Sequence, residues 1–258
     1  MEKDWNPELY LRFEAQRTRP AIELLSRIDG SSPMNVADLG CGPGNSTAIL
    51  AERWPDANVT GVDSSPAMLE KAQKRLPSCR FVEADMAHWH ADVPFDLIFA
   101  NASLQWVSGH EMLIPRLVGQ LSENGTLAVQ MPDNLDEPTH VLMGKVAREG
   151  HWKDRIGDVS AVRTRLLPAG EYYDLLTGAG CRVDMWKTVY MHVMPSVDAI
   201  VEWLKSTGLR PFLEPLGERE QHEFLNRYLT ALRRAYPVRQ DKSVLLPFPR
   251  FFFVATRG

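Results

Sequence analysis

The chain has 258 residues, of which 44% are hydrophobic and 24% are charged, and its formal net charge is −4 at pH 7. This composition is ordinary for a globular protein, and the mildly acidic balance argues against a dedicated nucleic-acid binder, which usually has a basic face. The three cysteines, Cys41, Cys79 and Cys181, have neither the number nor the spacing of a disulfide framework or a zinc site. The amino terminus lacks an apolar signal core, and no apolar run approaches the roughly 18 residues that span a membrane. We therefore expect a cytoplasmic protein of one large domain, or of one domain with an insertion, without a metal, nucleic-acid or membrane partner.

The first predicted element is a helix in 6-NPELYLRFEAQRTRP-20. Asn6 can cap it and Pro7 can occupy its first turn. Tyr10, Phe13 and Arg17 then fall on one face of the helix. This face is either part of the core, with Arg17 in solvent, or it covers a ligand whose carboxylate meets Arg17.

Between Asn35 and about Pro132, short apolar runs alternate with longer segments of helical spacing. Helices are predicted in 46-STAILAERW-54 and in 65-SPAMLEKAQKRL-76, where Ser65 is a candidate N-cap and Pro66 takes the first helical position. Strand after helix in this order predicts a doubly wound parallel sheet with right-handed crossovers. The predicted strands are Asn35–Leu39, Val59–Asp63, Arg80–Glu83, Phe95–Ala100 and Gly125–Met131.

Beyond Pro132 the pattern changes. Residues 136–178 are helical and irregular, the alternating run 182–193 predicts a long strand, residues 196–236 return to helical spacing, and 248–257 predicts a final strand. Two late strands separated by helices indicate a hairpin with an inserted helical cap. The predicted organisation is an amino-terminal helical segment over the cofactor site (1–30), an α/β core (31–135), and a helical cap with the last two strands (136–258).

The stretch 36-VADLGCGPGNST-47 predicts a ligand-binding turn after a buried strand. Gly40, Gly42 and Gly44 allow a sharp turn and a close approach of the backbone to a ligand, beside the free N–H groups of the next helix. Such a turn can hold a dinucleotide, a triphosphate or S-adenosylmethionine. A triphosphate loop needs a lysine, which is missing after Gly44, and a dinucleotide fingerprint has glycine or alanine where this chain has Asn45.

Three acidic residues narrow the choice of ligand. Asp63 ends the next strand about twenty residues after the glycines, where a carboxylate accepts hydrogen bonds from ribose hydroxyls. Asp85 follows the third strand and can accept from an adenine amino group, with Met86 as an apolar wall. Asp38, within a buried strand, would repel a pyrophosphate and needs a cation or N–H donors. Each aspartate could also be a turn or capping residue. Together they favour a ligand with ribose, adenine and an ammonium group but no phosphate.

The motifs DLGCGPGNST, GVDSSPAML, EADM and 99-FANASLQWV-107 resemble, in order and spacing, those of the class I S-adenosylmethionine-dependent methyltransferases. The resemblance implies a Rossmann-like, doubly wound seven-stranded sheet whose last strand is antiparallel, and S-adenosyl-L-methionine as cofactor. It places Asn101 and Ala102 on the methyl-transfer side. The cofactor-binding residues expected on this basis are Arg17, Asp38, Gly40, Gly42, Gly44, Asp63, Ser64, Met68, Asp85, Met86, Asn101 and Ala102.

A narrower resemblance extends beyond the cofactor region, through YLRFEAQRTRPAIELL, VQMPDNLDEPTH, 151-HWKD-154 and 201-VEWLKSTGLRPFL-213. These segments are similar to carboxyl methyltransferases of small tricarboxylic acids, and the similarity implies that trans-aconitate is converted to a monomethyl ester. A carboxylate is ionised at neutral pH, so no general base and no catalytic side chain is expected. Binding a polycarboxylate needs cations, since arginine holds carboxylates bidentately. The candidates are Tyr10, Arg17, Arg19, His140, Arg163 and Arg210, with Trp106 and Trp152 as walls.

Other functions stay open at this point. A malonyl group on a carrier protein is another carboxylate acceptor, and the pair Gln105–Trp106 also resembles enzymes of that kind. A regulator that binds S-adenosylmethionine without turnover and a dinucleotide oxidoreductase are alternatives from other classes. A DNA amino-methyltransferase is disfavoured, because the Asn-Pro-Pro-aromatic motif is replaced by the residues that follow Asn101.

Overall fold

The structure of the chain is a computed structural model that describes residues 14–29, 32–158, 165–205 and 208–258, with the backbone alone for residues 14–17. The predicted helix start at Asn6 and Pro7 lies outside the described residues. Within them, the first helix, α1, is Glu14–Leu25.

The described strands form one seven-stranded sheet in the order β3-β2-β1-β4-β5-β7-β6. The strands β1 to β5 pair in parallel wherever they are neighbours. This confirms the predicted doubly wound parallel arrangement. The strands are β1 (Asn35–Leu39), β2 (Asn58–Asp63), β3 (Arg80–Glu83), β4 (Phe95–Asn101), β5 (Leu121–Pro132), β6 (Cys181–Met194) and β7 (Val244–Arg257).

The last strand runs antiparallel to its neighbours, as the resemblance implied. Two contacts fix the direction of β7 beside β5. The hydroxyls of Thr126 and Thr256 lie 3.4 Å apart. Further along the chain from Thr126, the Asp133 N–H donates at 3.0 Å to the carbonyl of Pro249, which precedes Thr256 in the chain. Beside β6, the Gly258 N–H donates to the Gly180 carbonyl, and the rings of Trp186 and Phe252 stack 4.9 Å apart. Since the residue numbers run in opposite directions, β7 is antiparallel to both strands.

The helices after α1 fall between the strands. The predicted cap of α3 is confirmed, because the Met68 N–H donates to the Ser65 hydroxyl and Pro66 opens the helix. A short 3₁₀ helix, Leu104–Trp106, follows β4. The helices are α2 (Asn45–Arg53), α3 (Pro66–Arg75), α4 (His110–Val118), α5 (Pro138–Glu149), α6 (Lys153–Ile156), α7 (Ala169–Gly178), α8 (Val197–Lys205), α9 (Arg210–Leu213) and α10 (Glu218–Ala235).

Five of the strands are longer than predicted, and β7 begins at Val244, four residues before its predicted start. β4 extends to Asn101, and β5 begins at Leu121, four residues before the predicted start. The early part of β5 is polar and pairs with β4 through a register shift between Phe95 and Leu97. Neighbouring-strand pairing therefore extends the strand where its own sequence, SENG, gives no strand pattern.

The chain divides into two compact units. The first contains the described residues up to Pro132, with Leu166–Lys187 and Phe251–Gly258; the second contains the described parts of Asp133–Arg165 and Thr188–Arg250. The predicted segment 136–258 is thus distributed over both units, because α7 and the ends of β6 and β7 pack with the first.

The first unit is layered. Alternate residues of the central strands, such as Leu39, Ile98 and Val129, share a buried cluster with α4 and α7. The opposite face, which includes Val36 and Asp38, is covered by α1 and α2. Side-chain alternation along each strand supplies both layers from one sheet.

The second unit has its own core, in which α10 packs against α5 and α8. The buried Tyr228 donates its hydroxyl to the Thr139 carbonyl, 2.8 Å away, and so ties α10 to α5. None of the helices in the described part of the chain has the length and apolar character that crossing a membrane requires.

Candidate functional site

The predicted cofactor residues of the first unit gather at one edge of the sheet. Gly40 follows β1, Asp63 ends β2, Asp85 follows β3, and Asn101 ends β4. These four strands are neighbours and parallel, so their carboxyl ends share an edge. The chain order reverses between β1 and β4, and open α/β sheets bind ligands at this switch point.

Asp63 organises the glycine turn. One carboxylate oxygen accepts the N–H of Gly42 at 2.9 Å, and the other accepts the N–H of Ser65 at 2.9 Å. Ser64 and Met68, also predicted at the cofactor, are exposed just beyond it. A carboxylate has about four acceptor positions, so Asp63 can hold the turn and still accept from a ligand hydroxyl.

Asp38 is fully buried at the end of β1. Its Oδ2 accepts the hydroxyls of Ser46 (2.7 Å) and Thr47 (2.6 Å), both in the first turn of α2. Its Oδ1 has no hydrogen-bond partner among the described residues. Burial raises the pKa of this carboxyl from 3.8 to about 6, against the opposing effect of the two hydroxyls. The two hydroxyls supply part of the hydrogen bonding to Asp38 that we expected from a ligand, and we did not predict them.

The three glycines of the turn have positive φ angles but different surroundings. A Cβ at Gly40 would lie 2.2 Å from the Ser103 Cβ, and one at Gly44 would lie 3.3 Å from the Ala72 Cβ. A Cβ at Gly42 would meet no atom within 4 Å. Gly40 and Gly44 therefore permit close packing inside the protein, and Gly42 borders open space.

The segment after β3 carries the predicted adenine-binding residues. Asp85 accepts the Ala87 N–H at 2.9 Å and contacts His88 Nδ1 at 2.9 Å, and these two contacts lower its pKa. The Met86 sulfur lies 3.2 Å from the position that a Cβ on Gly40 would take. Arg116 of α4 donates to the carbonyls of Met86, Ala87 and Trp89 and holds the segment in place. We did not predict this role of Arg116, although it is the one cation in the apolar run LIPRLV.

The segment after β4 is fixed by hydrogen bonds. Ser103 donates its hydroxyl to the Leu39 carbonyl at 2.6 Å, and Gln105 donates its side-chain amide to the Ala102 carbonyl at 2.6 Å. Ala102 has φ +53°, which is uncommon for a residue with a Cβ. The side-chain oxygens of Asn101 and Gln105 are buried without a donor among the described residues.

These observations test which ligand fits the edge. Open space lies beside Gly42, and three buried acceptor oxygens, on Asp38, Asn101 and Gln105, have no donor among the residues that the structure describes. Buried acceptors of this kind are normally satisfied. A ligand that carries N–H donors and hydroxyls but no phosphate fits this set of residues.

The predicted acceptor-binding residues with described side chains belong partly to the first unit and partly to the second. Tyr10, Arg163 and the side chain of Arg17 lie outside the described residues. Trp106, in the first unit, is 47% exposed at the end of the 3₁₀ helix. In the second unit, His140 contacts the Thr139 hydroxyl at 3.2 Å.

The two other predicted cations with described side chains form ion pairs within their own helices. Arg210 pairs with Glu214 and Arg19 pairs with Glu23, each four residues on, and both arginines are more than half exposed. Exposed pairs of this kind are weak. The roles of His140 and Arg210 in acceptor binding stay predictions.

Trp152 requires a correction. Its side chain is fully buried, its Nε1 donates to the Val146 carbonyl at 3.0 Å, and its ring packs against Phe224 and under Arg227. A ring enclosed in this way offers no surface to a substrate. Trp152 is a core residue of the second unit, enclosed against Val146 of α5 and Phe224 of α10.

Comparison with known proteins supports the same assignment. The profile of a methyltransferase domain matches residues 36–125, which contain the whole edge from the glycine turn to the segment after β4. Haemonchus contortus phosphoethanolamine N-methyltransferase 2, solved with S-adenosyl-L-methionine, shares the fold with a TM-score of 0.55 and 17% identity, over 93% of this chain and 52% of that one. The fold and the site together define an S-adenosylmethionine-dependent methyltransferase.

Two relatives match nearly the whole chain. A trans-aconitate 2-methyltransferase of Paracidovorax citrulli is 56% identical over 258 residues, covering 99% of both chains. Another, of Yersinia pseudotuberculosis, is 54% identical over 253 residues, covering 98% of both. The chain belongs to the trans-aconitate 2-methyltransferase family.

Proposed function

We propose that this chain transfers a methyl group from S-adenosylmethionine to a carboxylate of trans-aconitate, or of a closely related small polycarboxylate, and releases a monomethyl ester. The observation that carries the proposal is the identity of 54–56% with trans-aconitate 2-methyltransferases over 98–99% of the chain. That span includes the second unit, which lies outside the general methyltransferase profile. A match restricted to residues 36–125 would support the cofactor and leave the acceptor open.

The chain's residues fit the donor. When bound, S-adenosylmethionine supplies a methyl group activated by a positive sulfur. Asp63 has acceptor capacity left for ribose hydroxyls, and Gly42 leaves space beside the turn. The oxygens on Asp38 and Asn101 that have no donor within the described part of the chain fit N–H donors of the ligand. We assign the cofactor to this edge of the first unit.

The acceptor chemistry requires little from side chains. A carboxylate is ionised at neutral pH, so no residue has to remove a proton. Alignment and exclusion of water can then supply most of the rate, and proximity alone is worth roughly 7–11 kcal/mol. The fixed segment after β4 suits such a role, because Ser103 and Gln105 hold it by hydrogen bonds.

The compartment and partners remain part of the proposal. The three cysteines are all free and buried, as a reducing cytoplasm allows. We propose a small polycarboxylate as the partner and neither a nucleic acid nor a membrane.

The test is methyl transfer from radiolabelled S-adenosylmethionine to trans-aconitate, cis-aconitate, citrate and malonyl-carrier protein at equal concentrations. We expect label on trans-aconitate, in a product that releases methanol in mild base, as an ester does. Label on the carrier protein, at a rate that falls steeply with salt concentration, would show that the methyl acceptor is a protein and not a small acid. No label on any acid would refute the proposed function.

A further inference from the structure

A buried histidine and tyrosine meet beneath the segment that follows β4. His110, the first residue of α4, is 2% exposed, and Tyr172 of α7 is fully buried. His110 Nδ1 contacts the Tyr172 hydroxyl, and His110 Nε2 lies 2.9 Å from the Leu104 carbonyl. The imidazole thus connects a helix on one face of the sheet to the 3₁₀ turn that contains Leu104.

The chemistry of the partners fixes the protonation pattern of this ring. A carbonyl can only accept, so Nε2 carries the hydrogen that is donated to Leu104. Nδ1 of a neutral imidazole then accepts from the Tyr172 hydroxyl. The pair forms two consecutive hydrogen bonds directed at one backbone carbonyl.

Tyr172 is itself fixed. Its ring lies 5.2 Å from the ring of Phe251 and 5.8 Å from that of Phe253, both on β7. The tyrosine is therefore anchored on the sheet, and it can hold the imidazole at a constant position. The Leu104 carbonyl is in this way connected, through His110 and Tyr172, to the packing of β7.

The segment that the pair holds contains the residues expected beside the reacting methyl group. It runs from Asn101 to Trp106, includes the positive φ of Ala102, and has other fastenings from Ser103 and Gln105. A backbone in a sparsely populated conformation persists where its surroundings impose it, and such residues cluster at functional sites. The hydrogen bond from His110 adds a fastening from a side chain of α4 to this segment.

We propose that His110 and Tyr172 are positioning residues for methyl transfer: they hold the segment Asn101–Trp106 in the conformation that aligns the acceptor. Neither touches substrate or cofactor. This inference rests on the proposed function, because its kinetic effect is measured on that reaction. A purely structural pair would instead lower stability and leave the bound state's rate unchanged.

The experiment compares Tyr172→Phe with Tyr173→Phe. The first removes one hydroxyl and keeps the ring; the second removes the hydroxyl of the next residue of α7, whose side chain is 49% exposed. With both substrates saturating, we expect kcat of Tyr172→Phe to fall about tenfold, as the loss of one buried hydrogen bond would give. Affinity for S-adenosylmethionine, measured by calorimetry, should stay within about twofold, and Tyr173→Phe should match the wild type.

Amide hydrogen exchange of the peptide that covers residues 101–107 is a second measurement, and it requires no methyl acceptor. We expect faster exchange in Tyr172→Phe and unchanged exchange in Tyr173→Phe. If the wild type methylates no acid, the proposed function fails, and this measurement still decides whether the pair holds the segment. Unchanged exchange would refute the inference on its own.

Other outcomes also decide. An unchanged kcat in Tyr172→Phe, or a loss of cofactor affinity equal to the loss of rate, would overturn the positioning role. If Tyr172→Phe does not fold, His110→Asn tests the same hydrogen bond by changing the other partner. We expect the same loss of kcat and the same faster exchange, with unchanged cofactor affinity. If neither variant folds, the pair is a folding element and the inference is wrong.

Discussion

Asp38 and Asp63 are carboxylates 25 positions apart, and their surroundings assign them different tasks. Asp63 is partly exposed, and its two oxygens take backbone N–H donors of the glycine turn and of the turn before α3. Asp38 is enclosed and shares one oxygen between two hydroxyls, while no described residue donates to the other oxygen. Asp63 thus stabilises the glycine turn, whereas the burial of Asp38 lowers the stability of the fold.

The substitution Asp38→Asn should stabilise the cofactor-free chain at neutral pH. An asparagine oxygen can still accept from Ser46 and Thr47, and no buried charge remains. The wild-type carboxyl has a pKa of about 6 in the fold against 3.8, so the stability it contributes is present below about pH 4 and is lost as pH rises to about 6. Above that, the difference amounts to about 3 kcal/mol. Urea unfolding at pH 4 and pH 7 measures it, and an advantage of the variant that does not grow with pH would contradict the expectation.

The substitution Asp63→Asn should weaken cofactor binding more than it weakens the fold. The amide oxygen keeps one acceptor for the Gly42 or Ser65 N–H, whereas the charge that strengthens hydrogen bonds from ribose hydroxyls is lost. We expect the Kd for S-adenosylmethionine to rise roughly tenfold, or about 1.4 kcal/mol, by calorimetry. Asp56→Asn, at an exposed turn residue, is the control. Asp63→Ala, which removes both backbone bonds, should also lower stability; equal cofactor affinity in all three variants would remove Asp63 from the site.

At the scale of elements, the glycine turn is a junction between β1, α2 and the segment after β4. Gly40 faces Ser103, Gly44 faces Ala72 on α3, and Gly42 faces open space. Strand ends and helix starts approach here more closely than a Cβ allows. The three glycines are equivalent in the sequence pattern, whereas the packing gives each of them different neighbours.

Gly40→Ala and Gly42→Ala should therefore have different effects. The added methyl at position 40 would be 2.2 Å from the Ser103 Cβ, so we expect several kcal/mol of destabilisation from the clash and the positive φ together. At position 42 the clash is absent and the backbone cost is about 1 kcal/mol, but the methyl enters the space proposed for the cofactor. Thermal unfolding and calorimetry should show a stability loss in the first variant and an affinity loss in the second. A fold equally stable in both would contradict the packing explanation.

At the scale of the whole molecule, the seven-stranded sheet supplies the site and two compact units share the chain. The cofactor residues with described side chains that were predicted before Pro132 all belong to the first unit. The predicted acceptor residues His140 and Arg210 belong to the second unit, whose own core is built around buried aromatics such as Trp152.

Ligand-induced stabilisation distinguishes the methyltransferase from a dinucleotide enzyme. A ligand at one hundred times its Kd stabilises the folded chain by about 2.7 kcal/mol if it binds the folded state alone. S-adenosylmethionine at that excess should raise the unfolding temperature, and NADH at the same concentration should leave it unchanged, because the buried Asp38 beside the glycine turn would repel a pyrophosphate. A larger shift with NADH would overturn the cofactor assignment.

Local patterns predicted most of the fold. The strands β1 and β3, the cap of α3 and the long β6 follow from alternation and capping residues, which depend on neighbours in the chain. β5 began earlier than its own sequence indicated, because pairing with β4 decides its first residues. Trp152 was misassigned because an indole next to charged residues gives no local sign of whether its ring is enclosed.

The sequence by itself determined the order of strands and helices, the glycine turn, and the acidic residues that favour an adenosine ligand without phosphate. Only the tertiary structure decided that Ser103 lies against Gly40, that Arg116 holds the segment after β3, and that His110 reaches the Leu104 carbonyl. The reason is physical: a turn or a cap depends on residues within a few positions. The neighbours of a strand end depend on the order of strands in the sheet, which is set by burial of the whole core.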